Sequence, residues 1–338
     1  VETIMGPLSV NRRHLLAGAA AGFVLPARGA SAQQLEPLKY LTPFGFLMGF
    51  TETMYGDTGG FFKKRGIDIT IEGGKGSAMA VQQVSAGNVL ISRTGGTDLI
   101  KAYAKDPSIV AVGDCYPKDL FFVISHADKA VLKPEDMAGK TIGLVSVGGA
   151  TENILDMMLA KAGVPAAEVK RETVGNAPAA FEFVKAGRVS AFIATGDTVA
   201  ALNHDKQPIK AWSCDDVAPS PGQVYIVSKK GLEAKRDAIA KFLAGVEDTL
   251  GAMIAGDPAT IVASMLTKYD VFEAKRPDKG VSVLRNTIDN YKLPHANKLK
   301  VNPATFESAY DLMVKAKIIQ PLQDRGFYDT SAWQKAFG

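Results

Sequence analysis

The sequence predicts an α/β protein of two lobes with a ligand cleft between them and two hinge crossings. Three observations lead there. Short β-rich runs alternate with helical stretches from residue 39 to residue 228 of the 338-residue chain. Within that span the pattern repeats, because Ala86-Gly87-x-Val89 and Gly96 recur as Ala186-Gly187-x-Val189 and Gly196. Finally, glycine-rich loops follow strands and open into helices, which is where open α/β sheets bind ligands.

The elements follow in chain order. Residues 1–32 read as an export signal: a polar start, Arg12-Arg13, an uncharged stretch over 15–27, and the small-x-small run Ala30-Ser31-Ala32. Asn11-Arg12-Arg13-His14-Leu15-Leu16 resembles a twin-arginine signal, with Asn11 where Ser or Thr is usual. Its uncharged stretch falls short of the roughly 20 residues that a membrane span needs.

Strands are expected at 39–41, 67–71, 89–91, 109–112 and 120–125, with helices at 78–86 and 97–104 between them. The alternation restarts with strands at 140–145, 169–174 and 189–194 and helices at 152–162 and 177–185. Pro219-Ser220-Pro221-Gly222 ends this block, and 224–228 is one more strand. Helices are expected at 235–255, 258–269, 280–291 and 303–316. The first lobe is thus expected to comprise 33–126 and 222–338 and the second 127–221, joined near 125–130 and 218–222.

Composition narrows the chemistry. The chain carries 39 Lys+Arg against 35 Asp+Glu, and removing 1–32 leaves 36 against 34, so no basic surface for nucleic acid is expected. Cys115 and Cys214 have no metal-ligand spacing and read as buried free thiols, and the histidines are scattered. No Gly-x-Ser-x-Gly or His-Glu-x-x-His motif occurs. Neither a metal nor a cofactor nor a catalytic set is expected.

Binding chemistry concentrates in the loops. Gly73-Gly74-Lys75-Gly76-Ser77 and Ser146-Val147-Gly148-Gly149-Ala150-Thr151 precede helices, with Ser77 and Thr151 expected as N-caps. Thr94-Gly95-Gly96-Thr97-Asp98 and Thr195-Gly196-Asp197-Thr198 are the repeated pair. Gly76, Ser77, Gly96, Thr97, Ser146, Gly149, Thr151, Gly196 and Asp197 are therefore candidate ligand contacts. Arg93 lies just past a strand, where a guanidinium forks onto a carboxylate or sulfonate. Phe46, Thr51, Tyr55 and Tyr116 complete the candidate site as its aromatic and polar walls. Helix N-termini favour an anionic or strongly hydrogen-bonding group, each by roughly 0.3–1 kcal/mol. Replacing Ser77, Arg93, Thr97 or Thr151 is expected to weaken binding and leave the fold intact.

The chain resembles the periplasmic binding proteins of ABC importers, in the branch that binds alkanesulfonates, taurine and thiamine pyrimidine precursors. Gly60-Phe61-Phe62-Lys63-Lys64-Arg65-Gly66-Ile67-Asp68-Ile69, Pro134-Glu135-Asp136-Met137-Ala138-Gly139-Lys140-Thr141-Ile142-Gly143, the paired Ala-Gly-x-Val segments, and the helical 235–263 with Gly256-Asp257-Pro258 carry the resemblance. The family's Asp after Val is Leu90 in one lobe and Ser190 in the other, and Gly56-Asp57-Thr58-Gly59 stands where Ala-Lys-Glu is usual before Gly60. The resemblance implies a type II periplasmic binding fold, a monomer in the periplasm, and a small organic ligand that is anionic or polar. It also implies partnership with an ABC permease and its ATPase. The cysteine cluster that marks the related iron-dependent pyrimidine synthases is absent. Two readings stay open beside this one: a secreted enzyme using Asp197, Asp57 or Glu52 as acid or base, and a ligand-sensing partner of a sensor kinase.

Overall fold

Alternating β-branched and small residues build two five-stranded sheets of the same plan. The computed structural model describes residues 1–2, 34–116 and 118–338, so the expected export signal, apart from its first two residues, lies outside the described residues. Leu35–Gly338 form one unit. The first sheet joins β1 (Glu36–Thr42), β2 (Ile67–Gly73), β3 (Ile91–Gly95), β4 (Ile109–Asp114) and β10 (Gln223–Ser228) in the order β2-β1-β3-β10-β4. The second joins β5 (Phe121–His126), β6 (Thr141–Leu144), β7 (Lys170–Thr173), β8 (Ala191–Thr195) and β9 (Ile209–Ser213) in the order β7-β6-β8-β5-β9. In each sheet three parallel strands are followed by one antiparallel strand, β10 or β5, and an edge strand.

This matching plan moves one expected boundary. Phe121–His126 pairs with β8 and β9 and belongs to the second lobe, not the first. The first crossing therefore runs through 115–120, not near 127 as its sequence suggested. Strand propensity gives a strand at 121–126 but not the sheet that receives it. The second crossing lies between β9 and β10. Backbone bonds tie the two crossings together, Cys115 donating to Gln223 (2.8 Å) and Gly222 to Tyr116 (3.1 Å). Gly222 is required there, since a Cβ would meet the Lys118 carbonyl at 2.1 Å.

Helices α1 (Thr51–Thr58), α2 (Phe61–Lys64), α3 (Ser77–Ser85) and α4 (Gly96–Tyr103) belong to the first lobe, and α5 (Ala150–Ala162), α6 (Phe181–Lys185) and α7 (Gly196–His204) to the second. The repeated Ala-Gly pairs do one job twice. Gly87 and Gly187 leave α3 and α6 at φ of +72° and +70°, a conformation that side chains with a Cβ resist. The chain then returns as α8 (Lys229–Ala255), α9 (Pro258–Leu266), α10 (Pro277–Ala296), α11 (Pro303–Lys315) and α12 (Ser331–Phe337). Helix α8 departs from helical geometry at Lys235, which is where the sequence predicted its start. Phe242 of α8 stacks on Tyr40 and Phe62, centring the first lobe's core. Among the described residues no helix is long and apolar enough to cross a membrane, and no His, Cys, Asp or Glu group is placed to hold a metal ion.

Candidate functional site

A cavity of about 450 Å³ lies between the lobes, beside both crossings. Its floor is Arg93 in the middle of β3 and Gln223 at the start of β10, on strands that pair antiparallel with Gln223 opposite Gly95. The first crossing contributes Tyr116 and Asp119, β5 contributes Phe122, and the start of α7 contributes Gly196 and Asp197. Asn286 and Asn290 stand one helical turn apart on α10 and line its exposed rim.

Arg93 is 1 % exposed and saturated on one side. Its Nη1 lies 2.6 Å from Glu52 Oε1 and donates also to the Gly49 carbonyl (3.0 Å), while Nε donates to Gln223 Oε1 (3.1 Å). The guanidinium sits between the rings of Phe50 and Tyr116, at 4.8 and 5.0 Å from their centres. Glu52, fully buried, accepts in addition from Tyr225 (3.0 Å) and Tyr291 (2.5 Å). A two-pronged fork onto a ligand is therefore closed to this arginine. Only Nη2 has no hydrogen-bond partner among the described residues. The expectation that Arg93 is replaceable without harm to the fold is overturned, because its loss strands the Glu52 charge in the core.

Two carboxyl groups face the same space. Asp119 is 5 % exposed; its Oδ1 accepts from the Phe121 amide at 2.8 Å and its Oδ2 has no partner among the described residues. Burial raises its pKa to about 8, with Asp215 pushing the same way against the Phe121 bond. Asp197 accepts from Thr287 of α10, and burial raises it to about 6 against that bond and the Arg93 charge. Gly49 makes room for it, since a Cβ there would stand 2.5 Å from Asp197 Oδ2.

Four of the sequence-predicted contacts line the cavity: Arg93, Tyr116, Gly196 and Asp197. Four of the others, Gly76, Ser77, Ser146 and Gly149, meet across a seam between the lobes. Ser77 Oγ accepts from the Ala150 amide (2.8 Å), and a Cβ on Gly76 or Gly149 would come within 2.5 or 2.4 Å of Ser146 Oγ. Gly76 there leaves room for the Ser146 side chain of the other lobe, and Gly149 for that of Ser77. Next to them Asp98 accepts from Asn153, whose Oδ1 takes Lys101 Nζ at 2.7 Å. Burial raises Asp98 to about 7. Ser77 and Thr151 are not N-caps, since the cap positions are Gly76 and Gly149; Thr151 Oγ1 instead accepts from the Val145 amide (3.1 Å). Thr97 is buried in the first turn of α4, and Gly96 lies against Pro221 of the second crossing. Phe46 packs on Tyr269, Tyr55 on Phe61, and Thr51 donates to the Met48 carbonyl (2.7 Å), all outside the cavity lining.

Sequence reasoning missed Asp119, Phe122, Gln223 and the rim asparagines. The i, i+4 spacing of Asn286 and Asn290 was the one available signal. Asp119 and Phe122 had none, because the crossing that presents them was assigned to the wrong place. Cys115 and Cys214 are free and buried, as expected.

Two lobes of the same open α/β plan, each with one antiparallel strand between its parallel strands and its edge strand, and enclosing a cavity at their crossings, make up the periplasmic binding protein fold. The family described as NMT1/THI5 like matches residues 48–260, and the chain belongs to that family. A protein from Bordetella bronchiseptica RB50 superposes with a TM-score of 0.75 at 15% identity, covering 90% of this chain and 97% of its own. The alkanesulfonate-binding protein SsuA from Xanthomonas axonopodis pv. citri, bound to MOPS, gives 0.66 at 15% identity, covering 85% of this chain and 96% of that one. The nitrate-binding protein NrtA from Synechocystis PCC 6803 gives 0.56 at 11%, covering 88% of this chain and 92% of that one. A search of curated proteins finds no match.

Proposed function

We propose that this protein is a periplasmic solute-binding receptor of an ABC importer. It captures a small polar organic molecule between its lobes and presents the closed form to a membrane permease and its ATPase. The observation that carries this reading is the cavity itself: it lies between two lobes linked by only two crossings and is bordered by contacts that each lobe supplies half of. Few connections make opening cheap, and a ligand that touches both lobes biases closure. Fold likeness to SsuA and NrtA supports the class, and the expected export signal supports the periplasm.

Two of the three acidic residues that an enzyme reading would use are spent on ion pairs. Glu52 is committed to Arg93, and Asp57 to Lys268 (2.6 Å) and Tyr269. Native mass spectrometry of the purified mature protein tests the proposal, followed by small-angle scattering with the ligand so identified. A co-purified molecule returned unaltered, with contraction on adding it back, is the expected result. Chemical turnover of that molecule would overturn it.

A further inference from the structure

We infer that the cavity takes a small organic cation, an amine or amidinium on a planar or apolar body, in preference to a sulfonate or carboxylate. This rests on the receptor reading above and concerns the charge of the ligand. Most of the positive charge that an anion would use is already answered, Arg93 keeping only Nη2 without a partner among the described residues. Arg93 is paired with Glu52 and sandwiched by two rings. Three of the four helix starts that favoured an anion carry the chain's own carboxylates, Asp98 in the first turn of α4, Glu152 in that of α5 and Asp197 in that of α7, and the start of α3, which has none, lies at the seam outside the cavity lining.

What remains in the cavity is acidic. Asp119 and Asp197, 5 % and 8 % exposed, both line it, and Asp119 Oδ2 is buried without a hydrogen-bond partner among the described residues. An unpaired buried carboxylate is costly, which is why Asp119 is raised to about 8, and a cationic ligand N–H beside Oδ2 removes the cost and lets the proton leave. Lys118, the one lining cation besides Arg93, is exposed, and Asp216, also exposed, lines the same cavity. Phe122 and Leu120 provide an apolar face for the ligand's body.

The test uses five aromatic probes of similar size on the purified chain: benzamidine and phenethylamine as cations, benzamide as the neutral control, and benzoate and benzenesulfonate as anions. Calorimetric titration and thermal unfolding should find the cations binding roughly tenfold or more tighter than the anions. Asp119→Asn and Asp197→Asn should each cost the cations about tenfold in affinity, with circular dichroism unchanged. Preference for the anions, cation affinity untouched in both variants, or failure of all five probes to bind would overturn the inference. The receptor reading would still stand in those cases if native mass spectrometry found an unaltered ligand. Conversely, a bound cation that is chemically converted would leave the charge assignment intact and sink the receptor reading.

Discussion

Thr287 on α10 donates its hydroxyl hydrogen to Asp197 at the start of α7, so the first lobe holds the second lobe's carboxylate at the edge of the cavity. Asp205, just past the end of α7, is gripped by Lys279 of α10 as well. These bonds, with the Ser77–Ala150 and Asp98–Asn153 bonds of the seam, fasten the lobes on two sides of the ligand space.

Thr287→Val removes a hydrogen bond to a buried carboxylate, an interaction worth about 1.5–3 kcal/mol. Ligand affinity should fall roughly tenfold or more, while each lobe keeps its core. Gly49→Ala should act similarly by placing a methyl group against Asp197 Oδ2. Scattering of both variants with saturating ligand should show less contraction than the parent; full contraction would refute the role of this contact.

Glu52→Gln leaves the Arg93 charge buried without its counter-ion. Breaking such a pair from one side costs about 3–5 kcal/mol. The double variant Glu52→Gln/Arg93→Met should recover part of that loss. Urea unfolding midpoints decide this, and an unchanged midpoint for Glu52→Gln would mean that the pair does not stabilise the first lobe.

Closing of the empty protein should depend on pH through Asp98. In the seam its carboxyl is raised from 3.8 to about 7, chiefly by burial, and it faces Ser77, Thr94, Lys101 and Asn153. A raised carboxyl binds its proton more tightly when the seam is shut than when Asp98 is solvated. Closure is therefore favoured at low pH and increasingly penalised as pH rises from about 4 to about 7. The radius of gyration of the ligand-free protein should grow over that window. Asp98→Asn should flatten the profile, and an equally steep profile in that variant would exclude Asp98 as the cause.

Cys115 and Cys214 border the two crossings, and burial pushes both thiols well above their ordinary range. Neither should react with a thiol reagent in the native state, and both should react once the chain is unfolded. Rapid native labelling of Cys115 or Cys214 would show that its crossing opens to solvent.

Much of the architecture was legible because it is written in local periodicity. Alternating strand and helix patterns, the paired Ala-Gly turns and the glycine loops depend on residues that are neighbours in the chain. The candidate site was legible only in part. Tyr116, Gly196 and Asp197 were found because they follow strand ends, where open sheets place ligands, and Arg93 because its strand was expected to stop at 91, although it lies inside β3. Ser77, Gly76, Gly149 and Ser146 obeyed the same rule, yet they face the opposite lobe across the seam.

By itself, then, the chain determined two repeated α/β blocks and the positions of their loops, since backbone conformation and burial pattern are set residue by residue. Only the tertiary structure decided that β5 joins the second sheet, that Arg93 is paired with Glu52 and not left open, and which loops line the cavity and which line the seam. Each of those outcomes turns on partners distant in sequence. Glu52 and Arg93 are local to different elements, and only the packing of α1 onto the first lobe makes one cancel the other's charge.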